Sequence, residues 1–371
     1  MKILYVRSGP YQVNINSYNL QEIGLATEFI KSGIDCDILY YNKKSSYDEF
    51  IDNNGIRIKI LWRKGIRLLR SGIYPQILNK KFLSNYDTII VSEYSQIMAV
   101  LLCFFHKNVY IYNGPYYNLF KIPFLEKIYD FLFCKFLNEK IKKIYCKTNK
   151  SENYINRKGL INTTTVGVGL NVSKFDNVQI DNNVENLLEV INNKRVLLYI
   201  GSISKRKNVK FLIQVFNKLK KDSKFKDVVL LLIGKSEGNY LNDCLNEISD
   251  EYRKSIIIIE KIPNSQLKFI YQKADIFLLS SLQEIMGMVL LEAMYFGVPC
   301  VCSNTAGSTQ LIENGVDGFI LNNYSVDEWS NQIKQILNNP EFGKQMGELA
   351  SKNIKQNYMW INIVNKMKKY F

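Results

Sequence analysis

Short apolar runs alternate with segments of helical periodicity along almost the whole chain, and this alternation limits the possible folds more than any other feature. The chain opens with an apolar run at Lys2–Val6, a helical pattern at residues 20–31 and a second apolar run at residues 36–41. This order of strand, helix and strand predicts a parallel sheet with right-handed crossovers. Further strands are predicted in the first half at residues 56–61, 88–91, 109–112, 143–146 and 164–168.

A second series of strands begins after a polar stretch at residues 173–183. Its strands are predicted at residues 196–200, 228–233, 256–259, 276–279, 300–303 and 319–321, with helical segments between them. Each half of the chain therefore reads as an open α/β domain. Ligands of such sheets bind at the carboxyl ends of the strands, and two such domains facing each other would form a cleft.

Composition and net charge limit which classes of protein this chain can belong to. The chain has 371 residues, 47% of them apolar, and a net charge of +15, so we expect two globular domains and a surface that attracts anions. Its seven cysteines form no Cys-x-x-Cys pair, which is typical of reduced core cysteines in a cytosolic protein. Because His106 is the only histidine, a metal site built from several histidines is excluded. The longest apolar run, at residues 97–105, is too short to span a bilayer.

Residues 280–297 hold two glutamates on either side of a turn that leads into a helix. The apolar spacing predicts a helix that begins near Gly287 and ends at Gly297, so Glu284 lies in the loop and Glu292 about one turn inside the helix. Backbone amides at a helix start attract phosphate, and flanking carboxylates accept hydrogen bonds from sugar hydroxyls. The alternative is that both glutamates are ordinary solvated charges.

A cationic loop follows the first strand of the second series. After Gly201 and Ser202, the residues Lys205, Arg206 and Lys207 stand in a row before a predicted helix. Three cations at the carboxyl end of a strand suit a pyrophosphate, because they add charge where the helix start adds amides. A solvated basic loop is the alternative.

Two basic and apolar stretches, residues 61–82 and 119–144, have the composition of amphipathic helices. Such helices can lie on an anionic membrane. They can equally pack their apolar sides on the first sheet and leave their charges in water, and the sequence leaves both readings open.

The second half resembles the retaining glycosyltransferases of family four. The resemblance is carried by Glu284 and Glu292 with seven residues between them, by the loop at residues 201–207, and by residues 296–299 and 315–319. It implies a GT-B fold of two Rossmann-like domains facing each other across a cleft. It also implies domain bounds of 1–172 with a crossing helix at about 355–371 for the acceptor side, and 173–354 for the nucleotide-sugar side.

The resemblance assigns roles to particular residues. Lys207 would neutralise the donor pyrophosphate, Glu284 would bind the hydroxyls of the transferred sugar, and Glu292 would bind the ribose. Lys207 and Glu284 are the implied catalytic residues, and the remaining donor-binding residues would be Gly201, Ser202, Arg206, Met286, Gly287 and Met288. No metal or other cofactor is expected, and catalysis would stabilise the leaving nucleoside diphosphate electrostatically.

Some positions depart from the family pattern. Ser202 replaces an arginine, and Ile285 replaces a glycine beside the sugar site. The double glycine usual after the first strand is also absent. The candidate acceptor-side residues are Asn16, Ser17, Asn113 and Gly114.

These observations predict a metal-independent, retaining glycosyltransferase that acts on a glycan or lipid-linked acceptor in surface polysaccharide or glycoconjugate synthesis. We expect it in the cytoplasm, with possible contact to the anionic inner face of the membrane. The alternative is a non-catalytic GT-B subunit that binds a glycan or a partner protein. Nucleic acid is not expected as a partner, since only the charge suggests it.

Overall fold

The structure is a computed structural model that describes residues 1–15, 20–52, 54–68 and 70–371. The chain divides into two compact units, each with its own sheet. The first unit comprises Met1–Asn171 together with Tyr358–Phe371, and the second comprises Val172–Asn357. In the described residues, no helix is both long and apolar enough to cross a bilayer.

The first unit is built on a largely parallel sheet. Its strands, as far as the structure describes the unit, are β1 (Lys2–Val6), β2 (Asp35–Asn42), β3 (Ser46–Ile51), β4 (Arg57–Lys64), β5 (Ile66–Leu68), β6 (Ser71–Ile73), β7 (Thr88–Ser92), β8 (Val109–Asn113), β9 (Ile144–Cys146) and β10 (Thr163–Thr165). The helices up to residue 171 are α1 (Gln21–Lys31), α2 (Lys80–Leu83), α3 (Ile97–Phe105), α4 (Pro123–Lys140) and α5 (Asn149–Asn156).

The order of strands in the first sheet is β10-β9-β8-β7-β1-β2-β4-β3. Every neighbouring pair is parallel except the edge pair, in which β3 runs antiparallel to β4. The central strands are largely apolar and mostly buried, because helices cover both faces of a parallel sheet. By contrast, β3 at the edge is mostly exposed.

One predicted helix in this unit is wrong. Residues 61–82 do not form a basic amphipathic helix, because β4 continues to Lys64 in register with β2 and a short hairpin, β5 and β6, follows it. Arg63 is buried in β4 and donates to the carbonyl oxygens of Ser46, at 3.2 Å, and Trp62, at 2.9 Å. Helix α4, in contrast, lies within the second basic stretch at residues 119–144.

The second unit has a six-stranded, wholly parallel sheet in its described residues. Its strands are β11 (Arg195–Ile200), β12 (Val228–Ile233), β13 (Ile256–Ile259), β14 (Ile276–Leu279), β15 (Cys300–Ser303) and β16 (Phe319–Leu321). Its helices are α6 (Asn182–Val190), α7 (Val209–Lys220), α8 (Tyr240–Leu245), α9 (Leu267–Lys273), α10 (Met288–Tyr295), α11 (Ala306–Leu311), α12 (Val326–Asn338) and α13 (Pro340–Asn357). All six predicted strands are confirmed.

The last residues of the chain return to the first unit as helix α14 (Trp360–Lys368). The Leu170 amide donates to the Tyr358 carbonyl oxygen at 2.8 Å, and the Trp360 ring packs against two glycines. A Cβ atom added to Gly24 would lie 2.1 Å from Nε1 of Trp360, and one added to Gly169 would lie 2.3 Å from Cδ2. Both glycines are therefore needed for this close approach.

Candidate functional site

The candidate site of the second unit lies where the strand order of its sheet reverses. The order is β13-β12-β11-β14-β15-β16, so the chain leaves β11 toward one edge and later returns to β14 on its other side. The connections that follow β11 and β14 therefore separate at the carboxyl edge of the sheet, and this is where open α/β sheets bind ligands. The predicted cationic loop follows β11, and the predicted glutamate loop follows β14.

The structure brings Lys207 and Glu284 together at this edge. The Lys207 ammonium contacts Oε2 of Glu284, and Nη1 of Arg206 lies 3.7 Å from the same oxygen. The side chains of Lys207 and Glu284 are 10% and 16% exposed, so the pair is largely dehydrated but still reachable from solvent. Two cations share one carboxylate here, which leaves positive charge for a bound anion.

Backbone contacts tie the two loops to each other. The hydroxyl of Ser280 donates to the carbonyl oxygens of Lys207 and Asn208, at 3.0 Å each. The Leu282 amide donates to the Arg206 carbonyl oxygen at 2.8 Å. Since Ser280 is fully buried, these bonds fix the position of Lys207 relative to the loop that carries Glu284.

A third loop, after β15, supports the turn that precedes helix α10. Gly287 adopts a left-handed conformation, with φ of 74°, directly before this helix. Helix α11 approaches the turn so closely that a Cβ atom on Gly307 would lie 2.2 Å from the Met286 carbonyl oxygen. Thr305 and Ser308 form a capping box at the start of α11. The small residues of this loop thus set the path of the backbone at residues 284–288.

Glu292 is the second predicted glutamate, and its side chain is fully buried in α10. Oε1 accepts from Nζ of Lys174 at 2.8 Å, and Oε2 accepts from the Tyr271 hydroxyl at 3.0 Å. Burial raises the pKa of Glu292 well above its ordinary value and lowers the pKa of Lys174 to about 7. Sequence reasoning missed Lys174 and Tyr271, since neither belongs to a recognisable motif.

The departures from the family pattern at Ser202 and Ile285 cause no backbone strain. Ser202 uses its carbonyl oxygen to accept from the Tyr199 hydroxyl at 2.7 Å, and its own hydroxyl lies 3.3 Å from that of Ser204. Ile285 is half-buried and does not have a positive φ angle. A branched side chain is therefore compatible with the turn beside Glu284.

The acceptor-side candidates are placed less favourably. Asn113 is fully buried, and its side-chain amide donates to the Pro115 carbonyl oxygen at 3.0 Å and to the Ser151 hydroxyl at 2.9 Å. Gly114 is also buried. Asn16 and Ser17 lie outside the described residues.

A pocket of about 500 Å³ lies at the carboxyl edge of the first unit's sheet, and sequence reasoning missed it. Its charged side chains pair: Arg7 contacts Glu22, and Nη2 of Arg70 donates to Oε2 of Glu93 at 3.0 Å. Lys147 donates to Oε1 of Gln21 at 2.7 Å. The other residues lining the pocket are Tyr5, Gly9, Pro10, Tyr11, Leu20, Ser92, Gln96 and Tyr112.

Two features set this pocket apart from an ordinary surface depression. Glu93, directly after β7, has a φ of 60°, a strained conformation for a residue with a side chain, and such strain concentrates at functional sites. Burial lowers the pKa of Lys147, whose ammonium lies over the Tyr112 ring, 4.7 Å from its centre. Arg7, Arg70 and Lys147 together outnumber the two carboxylates, so the pocket favours a ligand with both hydroxyl and anionic groups.

No three His, Cys, Asp or Glu side chains in the described part of the chain are arranged to hold a metal ion. All seven cysteines are free thiols in the structure, in keeping with the reduced state expected from their spacing.

Comparison with known proteins identifies this chain as similar to glycosyltransferases. Residues 184–353 match the family described as Glycosyl transferases group 1. The chain is 24% identical over 357 residues to an uncharacterized glycosyltransferase, MJ1069, of Methanocaldococcus jannaschii, a match covering 88% of this chain and 86% of that protein. It is 26% identical over 198 residues to the capsular polysaccharide biosynthesis glycosyltransferase CapM of Staphylococcus aureus, covering 53% of this chain and 51% of CapM.

Solved structures share the fold over the full length. Anabaena HepE, in complex with UDP and glucose, superposes with a TM-score of 0.71 at 15% identity, covering 100% of this chain and 98% of HepE. A glycosyltransferase from Rickettsia africae ESF-5 superposes with a TM-score of 0.75 at 17% identity, covering 100% and 97%. The predicted two-domain GT-B fold and the predicted glycosyltransferase class are confirmed.

Proposed function

We propose that this glycosyltransferase transfers a sugar from a nucleoside diphosphate sugar, with retention of configuration and without a metal ion, to a glycan or lipid-linked acceptor in surface polysaccharide or glycoconjugate synthesis. The observation that carries the proposal is the meeting of Lys207 and Glu284 at the switch point of the second sheet. Families with this sheet order bind nucleotides at that point. The crystal structures of HepE contain UDP or UDP-glucose, which supports a donor of this class.

Lys207 and Arg206 supply the charge that a pyrophosphate requires. The Glu284 carboxylate contacts the ammonium of Lys207. A bound pyrophosphate would compete for this ammonium, which frees Glu284 to accept hydrogen bonds from the hydroxyls of the transferred sugar. As the bond to the leaving phosphate lengthens, negative charge grows on the phosphate, and the two cations stabilise it.

The remaining donor contacts follow from helix α10. The helix start, with the amides of Gly287 and Met288 and that of Met286 just before it, would face the phosphate and sugar, as helix starts face anions elsewhere. Gly201 and Ser202 would line the phosphate side. Glu292 would bind the ribose, and because its carboxylate is fully buried beneath Lys174, this contact requires the Lys174 side chain to move.

The acceptor is proposed to bind in the pocket of the first unit. Its cations Arg7, Arg70 and Lys147 suit phosphate groups, and its carboxylates Glu22 and Glu93 suit hydroxyls. One relative, an Escherichia coli galactosyltransferase, is named for transfer to a sugar on diphosphoundecaprenol; it is 25% identical over 191 residues, covering 50% of this chain and 46% of that protein. An acceptor of that class would present both groups, and would place the reaction at the inner face of a membrane.

The donor site is tested with Lys207→Ala and, as a matched control, Lys205→Ala, an exposed lysine in the same turn. A nucleoside diphosphate sugar at about a hundredfold excess over its Kd should raise the melting temperature of the unaltered protein by about 5–10 °C. Lys207→Ala should abolish most of this shift and lower kcat by about a hundredfold or more, because it removes a charge that acts on the transition state. Lys205→Ala should have a much smaller effect on both, because Lys205 is exposed and only Arg206 and Lys207 of the three cations contact Glu284.

Full transfer activity in a folded Lys207→Ala protein would show that the assigned role is wrong. Retention is checked separately, by the anomeric configuration of the product in NMR spectra. Metal independence is checked by activity in a chelator, and activity that disappears and returns with a divalent ion would contradict it.

A further inference from the structure

Helix α4 of the first unit exposes a row of apolar side chains to solvent, whereas two of its three carboxylates, those of Glu126 and Asp130, are directed toward the protein. Its outward face consists of residues spaced three and four apart, which therefore share one side of the helix. We call it the α4 face: Phe124, Lys127, Ile128, Phe131, Leu132 and Lys135. Phe131 is 87% exposed and Phe124 is 64% exposed.

The carboxylates of Glu126 and Asp130 are held on the inner side of the helix. Nζ of Lys158 lies 2.5 Å from Oδ2 of Asp130 and 3.3 Å from Oε2 of Glu126. Glu126 also accepts from the Tyr94 hydroxyl at 3.1 Å. With these two acids neutralised inside, Glu139, one turn after Lys135, is the one exposed carboxylate of the helix, against the exposed lysines Lys127, Lys135 and Lys140.

The apolar surface extends beyond the α4 face. The Phe104 ring, at the end of α3, stacks on Phe136 of α4 with 4.8 Å between ring centres, and Phe104 itself is 63% exposed. Ile122 and Lys121, just before α4, are also exposed. Contiguous apolar surface rimmed by polar groups marks an interaction site.

We propose that the α4 face docks this protein on an anionic lipid surface, with the aromatic and aliphatic side chains entering the boundary between headgroups and acyl chains. Exposed Phe, Ile and Leu flanked by lysines is the pattern of helices that lie in a membrane interface. The lysines complement the negative potential of anionic lipids, and the overall charge of +15 adds to this attraction.

A second copy of the chain fits this surface less well. Helix α4 has 18 residues, so at about 1.5 Å per residue and a width of about 10 Å its outward face offers roughly 270 Å², against about 800 Å² per partner in a stable interface. Two copies would also bring like charges together at Lys127 and Lys135. Binding to a bilayer requires no such minimum area, and an anionic bilayer carries the opposite charge to these lysines.

The proposal does not depend on the transferase reaction, and its test measures lipid binding alone. The protein is mixed with vesicles of phosphatidylcholine, with or without phosphatidylglycerol, and the bound fraction is measured by flotation. We expect binding to the anionic vesicles and little to the neutral ones. The double variant Phe124→Ser/Phe131→Ser should bind about tenfold or more weakly, because each ring contributes buried apolar area.

Two further variants sharpen the result. Lys127→Gln/Lys135→Gln should lose about tenfold of the affinity for anionic vesicles. Val190→Ser, which removes an exposed apolar side chain of the second unit, should bind as the unaltered protein does. All variants should keep the melting shift with nucleoside diphosphate sugar, which reports a folded donor site.

Two results would overturn the proposal: no binding of the unaltered protein to anionic vesicles, or equal binding by the Phe124→Ser/Phe131→Ser variant. A concentration-dependent dimer that this variant converts to a monomer would assign the face to self-association instead. If the unaltered protein bound lipid but no nucleoside diphosphate sugar, the result would count against the proposed function and would not affect the lipid-binding proposal.

Discussion

At the scale of single residues, the buried pair of Lys174 and Glu292 makes the free energy of unfolding depend on pH. Burial favours the uncharged form of both groups, so it raises the pKa of Glu292 and lowers that of Lys174 to about 7. A glutamate whose pKa is raised in the folded state contributes less to the stability of the fold as pH rises above the pKa that it has in the unfolded chain. A lysine with a lowered pKa acts in the opposite direction, because the unfolded chain holds a proton that the folded one lacks between about pH 7 and 10.5.

Lys174→Met removes the effect of the lowered lysine pKa and keeps the effect of the raised pKa of Glu292. The destabilisation caused by this change should therefore grow as pH rises from 6 to 9, reaching about 3 kcal/mol, the range for a buried pair that loses one partner. Urea unfolding at both pH values measures it, with the exposed Lys261→Met as control. A destabilisation that is equal at both pH values would contradict the shared burial of the two groups.

The sequence made Lys207, Arg206 and Glu284 predictable because each lies within a short motif at the end of an apolar run. Lys174 stands 118 residues from Glu292, and the two groups meet only through the tertiary fold. The pocket around Arg7 and Glu93 escaped prediction for the same reason, since it collects side chains from several separate strand ends. No local pattern connects such residues.

At the scale of secondary-structure elements, helix α11 sets the position of the glutamate loop through Gly307. Gly307→Ala would place a methyl group 2.2 Å from the Met286 carbonyl oxygen, and backbone cannot yield as a flexible side chain does. We expect a loss of stability of about 1–3 kcal/mol from overpacking. The displaced loop should also raise the KM for donor.

The matched control for this change is Thr309→Ala, an exposed position on the same helix. Thermal unfolding and donor kinetics measure both variants. If Gly307→Ala behaves like Thr309→Ala, the close approach does not hold the loop.

Strands and helices could be predicted from the sequence where their hydrophobic pattern was strong. The six strands of the second unit are almost continuous apolar runs, because both faces of a parallel sheet are covered. In contrast, β3 is exposed and polar, so its pattern did not indicate a strand, and its place is decided by pairing with β4. The β5–β6 hairpin has three residues per strand, too few to reveal a period.

At the scale of the whole molecule, the first unit is assembled from both ends of the chain. Trp360 fills the space left by Gly24 and Gly169, and the Tyr145 hydroxyl donates to the Met367 carbonyl oxygen at 3.0 Å. Trp360→Ala should therefore destabilise the first unit by about 3–5 kcal/mol, the cost of deleting a large buried aromatic side chain.

Calorimetry with and without UDP assigns this loss to one unit: under the proposed function a nucleotide binds the second unit and raises only that unit's transition. The exposed neighbour Ile361→Ala serves as the control and should change stability by less than about 0.5 kcal/mol. A Trp360→Ala protein whose two transitions both match those of the control would contradict this account of the C-terminal helix.

The return of the chain at Tyr358 also has a consequence for synthesis. A ribosome releases the chain from its N-terminus onward, and domains generally fold in that order. Here the first unit lacks α14 until residues 358–371 emerge, whereas the second unit is contained within Val172–Asn357. The half of the enzyme that is made second can therefore finish folding first, and the half that is made first stays open around Gly24 and Gly169 until Trp360 has left the ribosome.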